Sequence, residues 1–175
     1  ANNELGSMLD LHQLSALCKK YGAYLHSDTV QTVGHFPINV QQTPVDFMSG
    51  AAHKFYGPKG IGFIYINSRC HIHPFIDGGS QERNMRAGTE NSSGIVGLAK
   101  AMQLAYAELE EDTAHISSLK EYMRQEILSL CPEAYINGLP VNSLYTVLNV
   151  SFPPGPYADL MIMSLDIAGI SVSGG

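Results

Sequence analysis

An α/β fold is predicted from three features: short β-rich runs, helical periodicity of apolar residues between and after them, and glycine or proline at the joins. The β-rich runs lie at 23–28, 46–52 and 62–66, and the periodic stretches at 11–21, 92–111 and 113–130. Near Asp112 the pattern changes to shorter strands and turns. That change predicts a domain boundary, with 1–112 as the larger unit and 113–175 as a smaller α/β unit.

Taken in order, Asp10 caps a helix that runs to Tyr21, and Gly22 stops it. Leu11, Leu14, Leu17, Cys18 and Tyr21 form its apolar stripe, which makes Cys18 a packed thiol. In the strand at 23–28, His26 and Asp28 are two residues apart and point to one face. His26 is either a metal ligand beside Asp28 or a partner that orients its carboxylate. A connection at 32–44 leads to the strand at 46–52, with Lys54 at its exit. The strand at 62–66 follows too closely for a parallel crossover and is expected to be antiparallel to its neighbour.

His71 and His73 resemble a metal pair but lack a third ligand at a recognisable spacing, so no metal is expected. Residues 77–91 form a polar, glycine-bearing loop of a length that points to function. Ser92 or Ser93 caps a helix to about Glu111, and a second helix at 113–130 is ended by Pro132. Strands at 134–136 and 146–152, an amphipathic helix at 157–168 and a last strand at 170–172 complete the reading.

The formal charge of −6, from 16 acidic and 10 basic residues, argues against a nucleic-acid phosphate track. No apolar run approaches a membrane span, and the first residues are not a signal peptide. Cys18, Cys70 and Cys131 lie far apart, without metal or disulfide spacing, which suits a reducing cytoplasm.

The chemistry centres on Lys54, which follows His53 at the end of the small-residue run Gly50-Ala51-Ala52. Small residues let the backbone approach something bulky. A lysine held against such a wall loses solvation, and its neutral amine becomes nucleophilic. That is what a Schiff base to an aldehyde cofactor needs; the alternative is a surface lysine in a sheet connection. Asp28 ends its strand and Gln31 lies three residues on. Open α/β sheets bind ligands beyond the carboxyl ends of their strands. A carboxylate there can keep a pyridine nitrogen protonated, turning the ring into an electron sink.

Three further motifs join these residues. They are Asn-Asn-Glu-Leu-Gly at 2–6, Ala-His-Lys-Phe-Tyr-Gly-Pro-Lys-Gly at 52–60, and Gly-Gly-Ser-Gln-Glu-Arg with Arg-Ala-Gly-Thr-Glu-Asn at 78–91. Together they resemble the cysteine desulfurase family of pyridoxal 5′-phosphate (PLP) enzymes over essentially the whole chain. The resemblance implies part of a PLP fold-type I large domain, a mostly parallel sheet with helices, followed by part of a small C-terminal domain. It implies a cytoplasmic homodimer that takes sulfur from L-cysteine, leaving L-alanine and an enzyme-bound persulfide. The sulfur would pass to an acceptor protein, as in iron–sulfur cluster assembly, with no nucleic-acid or membrane partner.

For the site, the resemblance implies that Lys54 holds PLP and abstracts the substrate α-proton. Asp28 would keep the ring nitrogen protonated, Gln31 would bond the ring hydroxyl, and His53 would help to hold the phosphate. Asn3 would lie beside the ring, the alternative being an asparagine-rich turn. Thr89 would reach the partner subunit's cofactor phosphate, with Arg86 nearby or at the dimer interface.

One departure is Ala51, where the family has a phosphate-binding serine. Losing a hydrogen bond to a charged group costs roughly 1.5–3 kcal/mol, and Ser49 on the same strand face is a partial substitute. None of the three cysteines matches the family's sulfur-accepting thiolate. The chain therefore reads as a fragment, expected by itself to release no sulfur. Selenocysteine cleavage, transamination on the same cofactor, and a non-catalytic interaction module are the other readings.

Overall fold

The computed structural model describes residues 1–155 and 158–174. The chain divides into two compact units, one of Ala1 and Leu9–Asp112, the other of Asn2–Met8 and Thr113–Gly175.

In the first unit, helix α1 spans Leu11–Tyr21. Asp10 starts it by accepting the N–H groups of His12 and Gln13 at 2.9 and 3.1 Å. Gly22 ends it by turning left-handed at φ 62°. Leu11, Leu14 and Cys18 pack on the core residues Leu25, Val45 and Met48. Leu17 and Tyr21 do not join them and are exposed. The buried face is instead rotated towards Ser15, which is buried and donates its hydroxyl to the Pro44 carbonyl at 2.6 Å.

Strands β1 (His26–Asp28), β2 (Phe47–Ala51) and β3 (Gly62–Ile66) form a mixed sheet in that order. β1 runs parallel to β2, and β3 antiparallel to it, as the short β2–β3 connection requires. β1 is shorter than the run at 23–28, and the N–H of Leu25 is taken by the Asp46 carboxylate at 2.8 Å.

Met48, Phe63 and Tyr65 share the covered face of the sheet, packed with α1 and with helix α2, Ser92–Ala107. The opposite face carries Phe47, Ser49, Ala51 and Ile64, and Tyr24 contacts Phe47 edge-on at 5.8 Å between ring centroids. Asn91, rather than either serine, caps α2: its Oδ1 accepts the Gly94 N–H at 3.0 Å. Helix α2 ends at Ala107, short of Glu111, and α3 (Leu109–Leu130) begins four residues before Thr113. Glu110, Glu111 and Asp112 occupy the first turn of α3, where the helix dipole favours them.

In the second unit, β4 (Tyr135–Ile136) pairs antiparallel with β5 (Val150–Ser151). Both are shorter than the runs at 134–136 and 146–152. The N-terminal segment belongs here: Ser7 bridges Ser143, and the Leu144 N–H donates to the Gly6 carbonyl at 2.8 Å. Lys120 of α3 donates from Nζ to the Leu144 carbonyl at 2.7 Å, and burial lowers its pKa.

The expected helix at 157–168 is a 3₁₀ turn, Ala158–Leu160, followed by α4, Met161–Ile167; Tyr157 lies outside the described residues. Residues 170–172 do not form a strand. The Ile170 N–H is spent on closing α4, donating to the Leu165 carbonyl at 2.8 Å after Gly169 turns at φ 78°. Among the described residues, no helix is long and apolar enough to cross a membrane.

Candidate active site

The carboxyl edge of β1 and β2 is built from the inside outward. The register pairs Asp28 with Ser49, so the chain leaving β2 emerges beside the end of β1. Thr29, buried behind Asp28, ties the two strands by donating its N–H and its hydroxyl to the Ser49 carbonyl at 2.9 and 2.8 Å. Asp28 is exposed, and its Oδ1 accepts the Val30 N–H at 2.9 Å. That bond orients the carboxylate and leaves Oδ2 without a hydrogen-bond partner among the described residues. His26, although on the same face, makes no hydrogen bond to it among them. Gln31 follows, half-buried in the turn.

Beyond β2 the chain makes a 3₁₀ turn, Ala52–Phe55. Side chains three apart in such a turn share a side. Ala52 and Phe55 are therefore both in the core, at 0% and 1% exposure, and His53 and Lys54 face solvent. Tyr56 ends the turn in the left-handed region, φ 61°, with its side chain 97% exposed. The expectation that Lys54 is desolvated against a wall does not hold for this chain, since Lys54 is exposed. The small residues serve packing instead. A Cβ on Gly50 would lie 2.4 Å from the Phe63 ring, and one on Gly57 2.7 Å from the Ala52 Cβ. Helix α2 grips the same turn from behind, where a Cβ on Gly97 would lie 2.6 Å from Pro58.

One contact had no sequence signal. His35 Nε2 lies 2.9 Å from the backbone carbonyl of Lys54 across 19 residues. A carbonyl only accepts, so Nε2 carries the proton.

The structure thus brings Asp28, Gln31, His53 and Lys54 to one sheet edge within the first unit, with Ala51 and Ser49 on the adjoining face. Asn3 lies in the second unit, exposed in a turn built by Asn2, whose Oδ1 accepts the Glu4 and Leu5 N–H groups at 3.0 and 2.7 Å. Thr89 is exposed in the long loop. Within that loop Glu82, Arg83 and Asn84 form a left-handed turn, with φ of 48°, 58° and 64°. Gln81 Oε1 braces it by accepting the Gly88 N–H at 3.2 Å, and Arg86 donates to the Ala87 carbonyl at 2.6 Å.

All three cysteines are free thiols. Cys70 is buried and donates to Asp46 Oδ1 at 3.4 Å; burial, then the Asp46 carboxylate, pushes its pKa up. A thiol held protonated in this way is a poor nucleophile. Among the described residues, no group of three or more His, Cys, Asp or Glu side chains is placed to hold a metal ion.

The donor set fits PLP. It offers an accessible amine for the aldehyde, a carboxylate with one oxygen fixed and one open for a ring N–H, an amide, and an imidazole.

The Aminotransferase class-V model matches residues 1–175. The chain is 44% identical over 175 residues to Cysteine desulfurase IscS of Dictyoglomus turgidum, covering 100% of this chain and 44% of that protein. It is 41% identical to Cysteine desulfurase of Sinorhizobium fredii, covering 100% of this chain and 45% of that protein. Among solved structures, a NifS-like protein matches with a TM-score of 0.91 at 38% identity, over 100% of this chain and 48% of its own. A NifS-like protein from Rickettsia africae matches with a TM-score of 0.91 at 32% identity and the same coverage. The chain therefore spans a little under half the length of these relatives. The expected α/β class and its fold-type I parentage are borne out by these matches. With its motifs in order along the whole of its length, the chain belongs to the aminotransferase class-V family.

Proposed function

We propose that this chain is the cofactor-lysine-bearing part of a PLP-dependent cysteine desulfurase. The whole protein would take sulfur from L-cysteine, release L-alanine and pass persulfide sulfur to an acceptor protein, in iron–sulfur cluster assembly or a related pathway. The observation that carries this reading is the placement of Lys54, on the turn leaving β2, beside Asp28 at the end of parallel β1. Names of similar proteins support the choice of sulfur chemistry within the family.

Bound PLP supplies an electron sink conjugated to the substrate α-carbon. The residues of this chain divide the remaining work. Lys54 Nζ would hold the cofactor and then take the substrate α-proton. Asp28, held by the Val30 N–H, would keep the ring nitrogen protonated through its open oxygen. Gln31 would donate to the ring hydroxyl and His53 would help to hold the phosphate, and the family resemblance gives Asn3 a place among the cofactor-binding residues. Ala51 offers no hydroxyl where the family has a serine, so Ser49 on the same face takes over part of that contact. The protein acts as a cytoplasmic homodimer in which Thr89, with Arg86 near it, reaches the partner's cofactor phosphate. Three free thiols suit a reducing compartment. The sulfur-accepting thiolate is a residue other than Cys18, Cys70 and Cys131. Cys70 is buried and held protonated, and Cys18 packs in the core.

The test is borohydride reduction of the whole PLP-loaded protein, of which this chain is a part, followed by peptide mapping, with sulfide and alanine assayed during incubation with L-cysteine and a reductant. The pyridoxyl group should sit on Lys54 and not on Lys59, and sulfide and alanine should appear in equal amounts. A pyridoxyl group on Lys59 overturns the lysine assignment. Cofactor on Lys54 without sulfide release points to another class-V reaction.

A further inference from the structure

The turn that carries Lys54 has an end to be capped. In the 3₁₀ turn Ala52–Phe55, the Ala52 carbonyl accepts the Gly57 N–H at 2.9 Å, whereas the later carbonyls have no following turn to accept from. The Lys54 carbonyl is met by the His35 imidazole at 2.9 Å. His35 comes from a segment with little freedom of its own. Before it, Gly34 is pressed so closely on Phe55 that a Cβ there would lie 2.6 Å from the Phe55 Cβ. After it, the Phe36 carbonyl accepts the Tyr106 hydroxyl of α2 at 3.3 Å. The same segment begins at Thr29, directly after Asp28, and contains Gln31.

We propose that His35 is a positioning residue for Lys54. It clamps the lysine's backbone to the segment that carries Asp28 and Gln31, so that the amine and the ring-binding groups keep one mutual geometry. This rests on the reading of Lys54 as the cofactor lysine. His35 acts through the Lys54 backbone, fixing the base from which the lysine side chain starts.

The test compares His35→Gln with His35→Asn in the PLP-loaded protein. Both variants are polar, but only the glutamine amide reaches as far as imidazole Nε2; the asparagine amide stops near the reach of Nδ1. The first readout is the ratio of borohydride-trapped pyridoxyl-Lys54 peptide to unmodified Lys54 peptide at a PLP concentration that half-loads the wild-type protein. The second is amide hydrogen exchange at Tyr56 and Gly57. His35→Asn should lower the ratio of modified to unmodified Lys54 about fivefold, the factor a hydrogen bond of ordinary net strength is worth, and should speed exchange at both amides. His35→Gln should retain most of the ratio and the slow exchange. Equal ratios in wild type and His35→Asn overturn the proposal, as does a His35→Gln loss as deep as that of His35→Asn. Absence of pyridoxyl-Lys54 in the wild-type protein overturns the cofactor reading itself, which a flat variant series on a normal wild-type signal does not.

Discussion

Asp28 shows how much one side chain can owe to one backbone bond. Its carboxylate is exposed, yet the Val30 N–H at 2.9 Å removes its freedom to swing. The open oxygen therefore points from a fixed base, which is what an acceptor for a ring N–H requires. Changing Asp28 to Ala removes a bond worth about 1 kcal/mol of stability, and the fold should persist. Turnover in the whole protein should fall by ~10²-fold or more, the scale of a positioned proton-holding group. Steady-state sulfide release alongside a denaturation curve separates the two effects. Activity within a few-fold of wild type would make the carboxylate merely structural.

At the level of elements, the turn 52–57 is held by close packing from three sides, and glycine is the residue that permits it. Gly34 combines φ 79° with a Cβ position 2.6 Å from Phe55 and 3.4 Å from Ala105. Gly22 has a similar φ of 62° but nothing within 4 Å. The pair separates backbone strain from overpacking. Gly22→Ala should cost about 1 kcal/mol, from the left-handed backbone alone. Gly34→Ala should cost about 2–4 kcal/mol, because a clash with a fully buried ring adds to that strain. Urea denaturation midpoints of the two variants measure the difference. Equal losses would mean that the 29–36 segment yields easily and does not brace the Lys54 turn.

For the molecule as a whole, the first unit has helices packed on one face of its sheet, whereas Ile64 and Tyr24 on the other side stay exposed. Parallel pairs such as β1–β2 occur mainly in sheets covered on both faces. Phe75 in the long loop and Tyr56 beside Lys54 are also almost fully exposed. These exposed apolar residues motivate the dimer reading, which has a specific trial. Thr89→Ala should weaken PLP retention in the whole protein. Mixed dimers of a Thr89→Ala protomer with a Lys54→Ala protomer should regain one normal site, because the intact Thr89 then serves the intact Lys54. Sedimentation together with PLP titration of the mixed species reports both. A monomeric protein with normal cofactor retention would sink the idea.

Several features were legible in the sequence because they rest on short-range chemistry. Asp10 and Gly22 bound α1 by backbone bonds within a few residues, and β3 is antiparallel because its connection is short. The motifs around Asp28 and Lys54 placed both at strand ends by spacing alone. Legibility failed where a residue's neighbour was distant in the chain. The solvent exposure of Lys54 depends on Gly50, before it, packing on Phe63 and Gly57, after it, packing on Ala52. The short β4 and β5 and the missing strand at 170–172 depend on which backbone groups find partners. Residues 2–8 join the second unit through Gly6, Ser7 and Met8, bonded to residues beyond 140. The His35 contact spans 19 residues and leaves no periodic trace. Periodicity and capping act through the backbone over one or two turns, whereas burial, clamping and pairing are settled only when remote segments compete for the same space and the same hydrogen bonds.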